Sequence, residues 1–205
     1  MTIDNQRVIF VQVLNMERYD GIYDDEGNIK DQYISSGGSY PDTIKHEQFN
    51  FRPIGERYYG YLPPYSKIDL DRVNRNAIIL DKKNRRVIPN TLVVFTTTSH
   101  ITKTGRYICG FYTNANLYEQ PLKMQDISRF IKDDGSYASF SAVTYCKDAI
   151  LIPREERTFQ IMNGKNVPGG FGQSNIWYCD NNEAYRKEII DYIKWVIDHK
   201  KKGNV

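Results

Sequence analysis

Where the chain reads PGGFGQSNIWYCD, at 168–180, three glycines, a Gln-Ser-Asn triplet and a Trp-Tyr pair stand close together. Glycines followed by small polar residues are the raw material of a phosphate cradle, because backbone N–H groups come near an anion most easily where no Cβ intervenes. Dinucleotide binding, however, requires G-x-G-x-x-G between a strand and a helix. Here Gly170 and Gly172 give only the first two glycines, and Asn175 occupies the third position. No Gly-Lys-Ser/Thr follows, and the glycines precede a strand-like NIWYC rather than a helix. Two readings remain: a plain glycine turn, or clearance for a flat ligand. In the second, Gly172 permits close approach while Gln173, Ser174 and Asn175 offer donors and acceptors to the ligand's edge.

Aromatic residues suit the same chemistry. Tyr58, Tyr59 and Tyr61 lie on one strand-like segment, Tyr107, Phe111 and Tyr112 on a second, and Trp177 and Tyr178 on a third. Alternation along a strand sends neighbours to opposite faces, so some of these rings are core. Which of Trp177 and Tyr178 faces a pocket stays open. Rings from separate strands can converge to stack on a nucleobase, at ~1–3 kcal/mol per base. They can also enclose a methylated or cationic group.

Catalytic signatures are sparse. His46-Glu47 in KHEQFNF is the best acid/base pair, while His100 and His199 stand apart. HExxH, GxSxG and Cys-His patterns are missing. Glu155-Glu156, flanked by Arg154 and Arg157, reads as a salt-bridged turn. Cys109, Cys146 and Cys179 are too widely spaced for a CxxC zinc site, so no metal and no cofactor is expected. DKKNRR at 81–86 puts Lys82, Lys83, Arg85 and Arg86 on one short loop. It reads as a solvated hairpin tip, or as a grip on phosphates, which position a nucleic acid without reading it. Arg154, Arg157, Lys165 and Lys200–Lys202 would extend that grip. A net charge of +3 permits such a partner without demanding it.

The elements that must hold these residues follow from hydrophobic pattern. Strand-like runs appear at 8–14, 56–65, 76–80, 91–98, 106–120 and 137–152, each bounded by Gly, Pro, Asp or Lys. Short strands separated by turns predict a barrel or sandwich. Residues at about 20–45, rich in Asp, Gly, Ser and Asn, read as a long excursion. Over 181–200, Tyr185, Ile189, Ile193, Val196 and Ile197 share one helical face, with Asp180 as N-cap and Glu183 completing a capping box. The 205 residues fit one domain. No signal-peptide order opens the chain and no apolar run reaches the ~20 residues that span a bilayer, so a cytoplasmic location without membrane contact is expected.

Three segments, HEQFNFRPIGERYYGY (46–61), YICGFYTNANLYEQP (107–121) and GGFGQSNIWYCD (169–180), carry a resemblance. Together they resemble the PUA-like modified-base readers of bacteria, the superfamily of EVE, YTH, ASCH and SRA domains. The nearest likeness is to a group with G-W-Y-x-N-A-x-V-Y on one strand and G-x-G-Q-S-N-x-W-Y later. Here Phe111 replaces the Trp of the first motif, so an indole N–H is lost there. The resemblance implies an α+β fold over 1–205: a PUA-like, strongly bent, mostly antiparallel β-barrel with flanking helices and a C-terminal amphipathic helix. It implies a non-catalytic DNA-binding module, with RNA less favoured, that takes a flipped, modified base into an aromatic cage. Such readers serve modification-dependent restriction and phage defence, beside a nuclease or motor subunit.

On that reading Trp177 (or Tyr178), Tyr112 and Phe111 supply stacking walls, and Asn114, Gln173, Ser174 and Asn175 read the base edge. Gly170 and Gly172 give clearance, Ser39 and Tyr40 close over the pocket, and Lys82, Lys83, Arg85 and Arg86 meet phosphates. The rival readings are an enzyme on the same scaffold, a nuclease or nucleotide hydrolase using His46 and Glu47, and a protein-interaction module using exposed tyrosines.

Overall fold

The computed structural model describes residues 3–24, 26–31, 46–63, 68–99, 101, 104–131, 135–180 and 182–202. Ser39, Tyr40 and His100 lie outside them. In chain order the elements are β1 (Arg7–Gln12), β2 (Arg57–Gly60), α1 (Leu70–Asn74), β3 (Ile79–Leu80), β4 (Arg86–Thr97), β5 (Tyr107–Lys123), β6 (Phe130–Ile131), β7 (Ser136–Tyr137), β8 (Ser139–Tyr145), β9 (Ala149–Leu151), β10 (Ile176–Trp177) and α2 (Glu183–Lys202). The fold is α+β, built on a mixed sheet ordered β10-β1-β4-β5-β8-β2, with β3 on β4, β9 on β5, and a separate β6–β7 pair.

The expected segments appear with altered bounds. The run at 91–98 begins earlier, at Arg86, and the run at 106–120 extends to Lys123. The 137–152 run is broken by a 3-10 turn at Cys146–Asp148, and only Ile79–Leu80 of the 76–80 run pairs. Only Ile176–Trp177 of NIWYC is strand. Pairing is not uniformly antiparallel: β1 lies parallel to β4, from Arg7 opposite Thr91 to Gln12 opposite Thr96.

The described sheet does not close into a barrel, since β10 and β2 end its path unpaired with each other. It is nonetheless bent. On a flat sheet β2 would stand three strand spacings from β4, about 14 Å. Yet a Cβ placed on Gly60 of β2 would lie 3.0 Å from the Phe95 ring of β4 and 2.8 Å from that of Tyr112 on β5. Only glycine allows that approach. The Tyr58 and Tyr112 rings stack at 6.1 Å and 16° across the same fold-over.

Two apolar layers result, one on each sheet face. Ile9, Val11, Val93, Phe95, Tyr112 and Leu117 turn inward onto Tyr19, Phe51, Leu62, Ile68 and Leu70. Val8, Phe10, Leu92, Val94, Phe111 and Trp177 turn outward onto Tyr185, Ile189, Ile193 and Val196 of α2. The periodicity read for α2 is thus its buried face. Its cap differs from expectation: the Asn182 side chain accepts the Tyr185 N–H at 3.1 Å, as an N-cap does. Asp180 instead takes two hydrogen bonds from Arg72, at 2.9 and 2.7 Å, and Glu183 pairs with Arg186.

Trp177 therefore belongs to the joint between helix and sheet, 4.9 Å from the Phe10 ring and 5.7 Å from that of Phe171. Trp177→Ala should cost roughly 3–5 kcal/mol of stability by leaving a cavity under α2. Equilibrium denaturation checks this; a loss under 1 kcal/mol would remove Trp177 from the core.

Candidate functional site

The residues expected to form one pocket are dispersed. Phe111 and Trp177 are buried in the layer beneath α2, whereas Tyr112, adjacent to Phe111, is fully buried in the inner layer. The Tyr112 hydroxyl donates to the Asn50 carbonyl. Tyr178 packs at the inner layer's margin; its ring lies 4.2 Å beneath the Arg72 guanidinium and its hydroxyl accepts the Asp69 N–H. These rings are occupied by protein and present no common stacking wall.

Asn114 sits in a β-bulge of β5 at φ +52. The extra residue lets both Tyr112 and Ala115 face inward. Its side chain accepts from Gln6 at 2.8 Å and donates to Asp148 at 3.2 Å. Gln6 precedes β1, while Asn175 bonds to Gln12 at its far end, six residues and on the order of 20 Å away. Asn114 and Asn175 cannot read the same base edge.

The GQSN triplet itself lies at a better-formed place. Because β1 and β4 are parallel, their C-terminal ends reach the same sheet edge. Strand β10 runs antiparallel to β1, so its entry, 173–175, arrives there too. The Asn175 carbonyl accepts the Gln12 N–H at 2.8 Å, the Thr96 carbonyl accepts the Val13 N–H at 2.8 Å, and Asn15 Nδ2 donates to the Thr98 carbonyl at 2.9 Å. Gln173 and Ser174 are exposed and Asn175 is half-buried. The Ser174 hydroxyl accepts the Ile176 N–H at 3.1 Å.

Two polar atoms at this edge are buried without a hydrogen bond among the described residues: Asn15 Oδ1 and Thr97 Oγ1. Their residues are 2% and 1% exposed. Buried polar atoms are almost always satisfied, so two lacking partners at one sheet end single this place out.

The turn carrying Asn15 is held from both sides. Asp31, buried, accepts the N–H groups of Glu17, Arg18 and Tyr19 at 2.9, 2.8 and 2.9 Å. Arg157 donates to the carbonyls of Ile152, Met16 and Glu17 at 2.9, 2.6 and 2.9 Å. The Tyr19 hydroxyl donates to the Leu14 carbonyl, and its burial raises that phenol's pKa well above the ordinary value. Such a turn presents fixed polar groups, which suits recognition rather than motion.

The candidate acid/base pair has a structural place. His46 and Glu47 are buried in a 3-10 turn. The His46 Nδ1 accepts the Ser139 N–H at 2.9 Å, and its ring packs 4.8 Å from Tyr61. The first contact fixes the tautomer with the proton on Nε2.

In the basic loop, Asp81 gathers the N–H groups of Lys83 and Arg85 and the Arg85 guanidinium. The Arg85 side-chain hydrogen bond, then its backbone N–H, holds the Asp81 carboxyl down at about 2. A depressed carboxyl keeps this contact at neutral pH and loses it as pH falls from the ordinary 3.8 through about 2. Arg86 pairs with Glu119 and Asp71. Lys82 and Lys83 stand exposed with no carboxylate partner among the described residues. Of the wider grip, Arg157 is buried against carbonyls, Arg154 faces Glu17 at 3.6 Å, Lys200 faces Glu156 at 3.6 Å, and Lys165 is exposed.

Comparison with family models, with curated proteins and with solved structures yields no match. Among the described residues no helix is long and apolar enough to cross a membrane. Asn15, Thr97 and Asp31 are the residues that sequence reasoning missed, and Arg157, expected in a surface turn or a phosphate grip, holds backbone carbonyls instead. A faint signal existed: Asn15 ends the apolar run VIFVQVL, and TTT ends TLVVF, so two strands close on small polar groups.

The glycines of the opening motif divide in role. A Cβ on Gly170 would meet the backbone of 162–164 at 2.8–2.9 Å, so this glycine closes a loop upon itself. Gly172 faces open space. Gly170→Ala should lower the melting temperature by several degrees, about 4 °C or more per 1–2 kcal/mol, while Gly172→Ala leaves it unchanged. Equal effects in a thermal scan would contradict this division.

Proposed function

We propose that the chain is a non-catalytic nucleic-acid-binding module that recognises a modified base, DNA rather than RNA, on a PUA-like scaffold. The bent sheet with its long, bulged β5 and covering helix supports that scaffold, in which the described edges β10 and β2 would approach barrel closure. The carrying observation is the pair of buried, unsatisfied atoms Asn15 Oδ1 and Thr97 Oγ1 at the shared end of β1 and β4. Beside them stand Gln173 and Ser174 of the motif that carries the family resemblance.

The mechanism is recognition by hydrogen-bond matching. An amide oxygen accepts from an exocyclic N–H, and a hydroxyl accepts or donates. A base lacking the matching group leaves both atoms unsatisfied in a buried place, which costs ~1–3 kcal/mol for each. Lys82 and Lys83, and not Arg85 or Arg86, are the cations of the 81–86 loop available to a phosphate backbone. A nuclease or motor subunit would act on the DNA so marked. His46 is engaged by the Ser139 N–H and the Tyr61 ring, which weighs against the hydrolytic reading.

Oligonucleotides bearing unmodified, methylated and hydroxymethylated cytosine, methylated adenine and bulkier modifications test this at fixed salt. At least one should bind tenfold tighter than the unmodified strand, and Asn15→Ala should erase that preference, as should Thr97→Val. A panel with no tenfold winner overturns the reading. Replacing both Lys82 and Lys83 with Ala should lower the slope of log affinity against log salt by roughly 2 without changing the preferred base; an unchanged slope would place the phosphates elsewhere.

A further inference from the structure

A cavity of about 210 Å³ lies apart from the β1–β4 edge, between 21–24, the turn His46–Phe49 with Arg52, and 127–131. Its lining is apolar at Phe49, Phe130 and Ile131 and polar at Gln48, Arg52, Asp24 and Ser128. Drug-sized ligands occupy roughly 300–1,000 Å³, so this volume suits a single ring with one substituent.

Charge decides the substituent. Arg52 is half-buried, and its one described hydrogen bond is a long 3.3 Å contact to the Asp20 carbonyl. Two nearby carboxylates are engaged by their own local hydrogen-bond partners. Asp24, which also lines the cavity, accepts the Asn28 backbone N–H at 2.7 Å and the Asn28 amide at 3.2 Å. Asp126 accepts both the N–H, at 2.9 Å, and the hydroxyl, at 2.5 Å, of Ser128. Behind the wall, Arg129 is fully buried and bonded only to the carbonyls of Phe49, Tyr59 and Ser139. Burial lowers its pKa to about 10, and the nearby Arg52 adds to that shift. Neither guanidinium is within ion-pair distance of a carboxylate among the described residues, though Asp126 acts on both through space. The Arg52 guanidinium thus lines the cavity without an ion-pair partner among the described residues, beside the rings of Phe49 and Phe130.

The geometry points to a second ligand site here, one that takes a small planar oxyanion: an aryl carboxylate or aryl phosphate, its ring against Phe49 and Phe130 and its oxygens on the Arg52 guanidinium. The aromatic walls favour the ring, and the guanidinium fork matches a carboxylate or phosphate with two parallel hydrogen bonds. No covalent step is involved.

The test is titration of the whole chain with phenyl phosphate, benzoate, the neutral isostere benzamide and inorganic phosphate, followed by amide chemical shifts. Phenyl phosphate and benzoate should bind, shifting the amides of 21–24 and 127–131, and benzamide and inorganic phosphate should bind at least tenfold more weakly. Arg52→Gln should weaken phenyl phosphate by tenfold or more, with unchanged melting behaviour showing that it folds. Asn15→Ala should leave this binding intact, which separates the site from the base-reading edge. Benzamide equal to benzoate, shifts elsewhere, or full binding by Arg52→Gln would each overturn the assignment.

Discussion

The parallel pairing of β1 with β4 is the constraint on which the remaining structure hangs. A strand buried on both faces has no polar side, which is why β1 reads as an unbroken apolar run. Its odd residues, Ile9 and Val11, belong to the inner layer and its even ones, Val8 and Phe10, to the layer under α2. Two cores thus share one strand. The same pairing aligns two C-terminal strand ends, and the polar residues that follow each strand are brought together there without any local sequence signal.

Buried charge is handled in a consistent way. Arg129, Arg157 and Asp31 are nearly or fully buried, and their hydrogen-bond partners among the described residues are backbone carbonyls and N–H groups rather than opposite charges. Desolvating an ion is costly, and several short hydrogen bonds to backbone groups offset that cost. In exchange each ion fixes irregular chain: Arg157 and Asp31 fix 14–19, and Arg129 joins 49, 59 and 139. Segments without regular secondary structure are thereby held as firmly as strands.

How much of this was legible in the sequence depended on whether the signal was local. The long β-branched runs of β4 and β5 and the 3.6-residue period of α2 are local, and they were readable within a few residues. The face to which a ring points was not. Phe111 and Tyr112 are adjacent on a strand covered on both sides, so alternation separates them without telling which faces a ligand, and neither does. The bulge at Asn114 then reverses the parity of everything beyond it. Asp180 and Asn182 are both capping residues, and only the position of Arg72, distant in sequence, decides that Asp180 is taken elsewhere. The cations of 81–86 could be counted, but not the acids that engage Arg85 and Arg86. Arg157 looked like one member of a salt-bridged surface turn because nothing nearby reveals a carbonyl 141 positions earlier.

That last contact has a consequence for the growing chain. Residues 14–17 are made long before Arg157, and β1 has no parallel partner until β4 has been made. Even then the Met16 and Glu17 carbonyls lack the guanidinium that holds them until Arg157 emerges, 140 positions after Glu17. The edge that carries Asn15 is therefore begun early and finished late. Until then it remains an unlatched segment beside an apolar strand, the kind of surface that chaperones exist to cover.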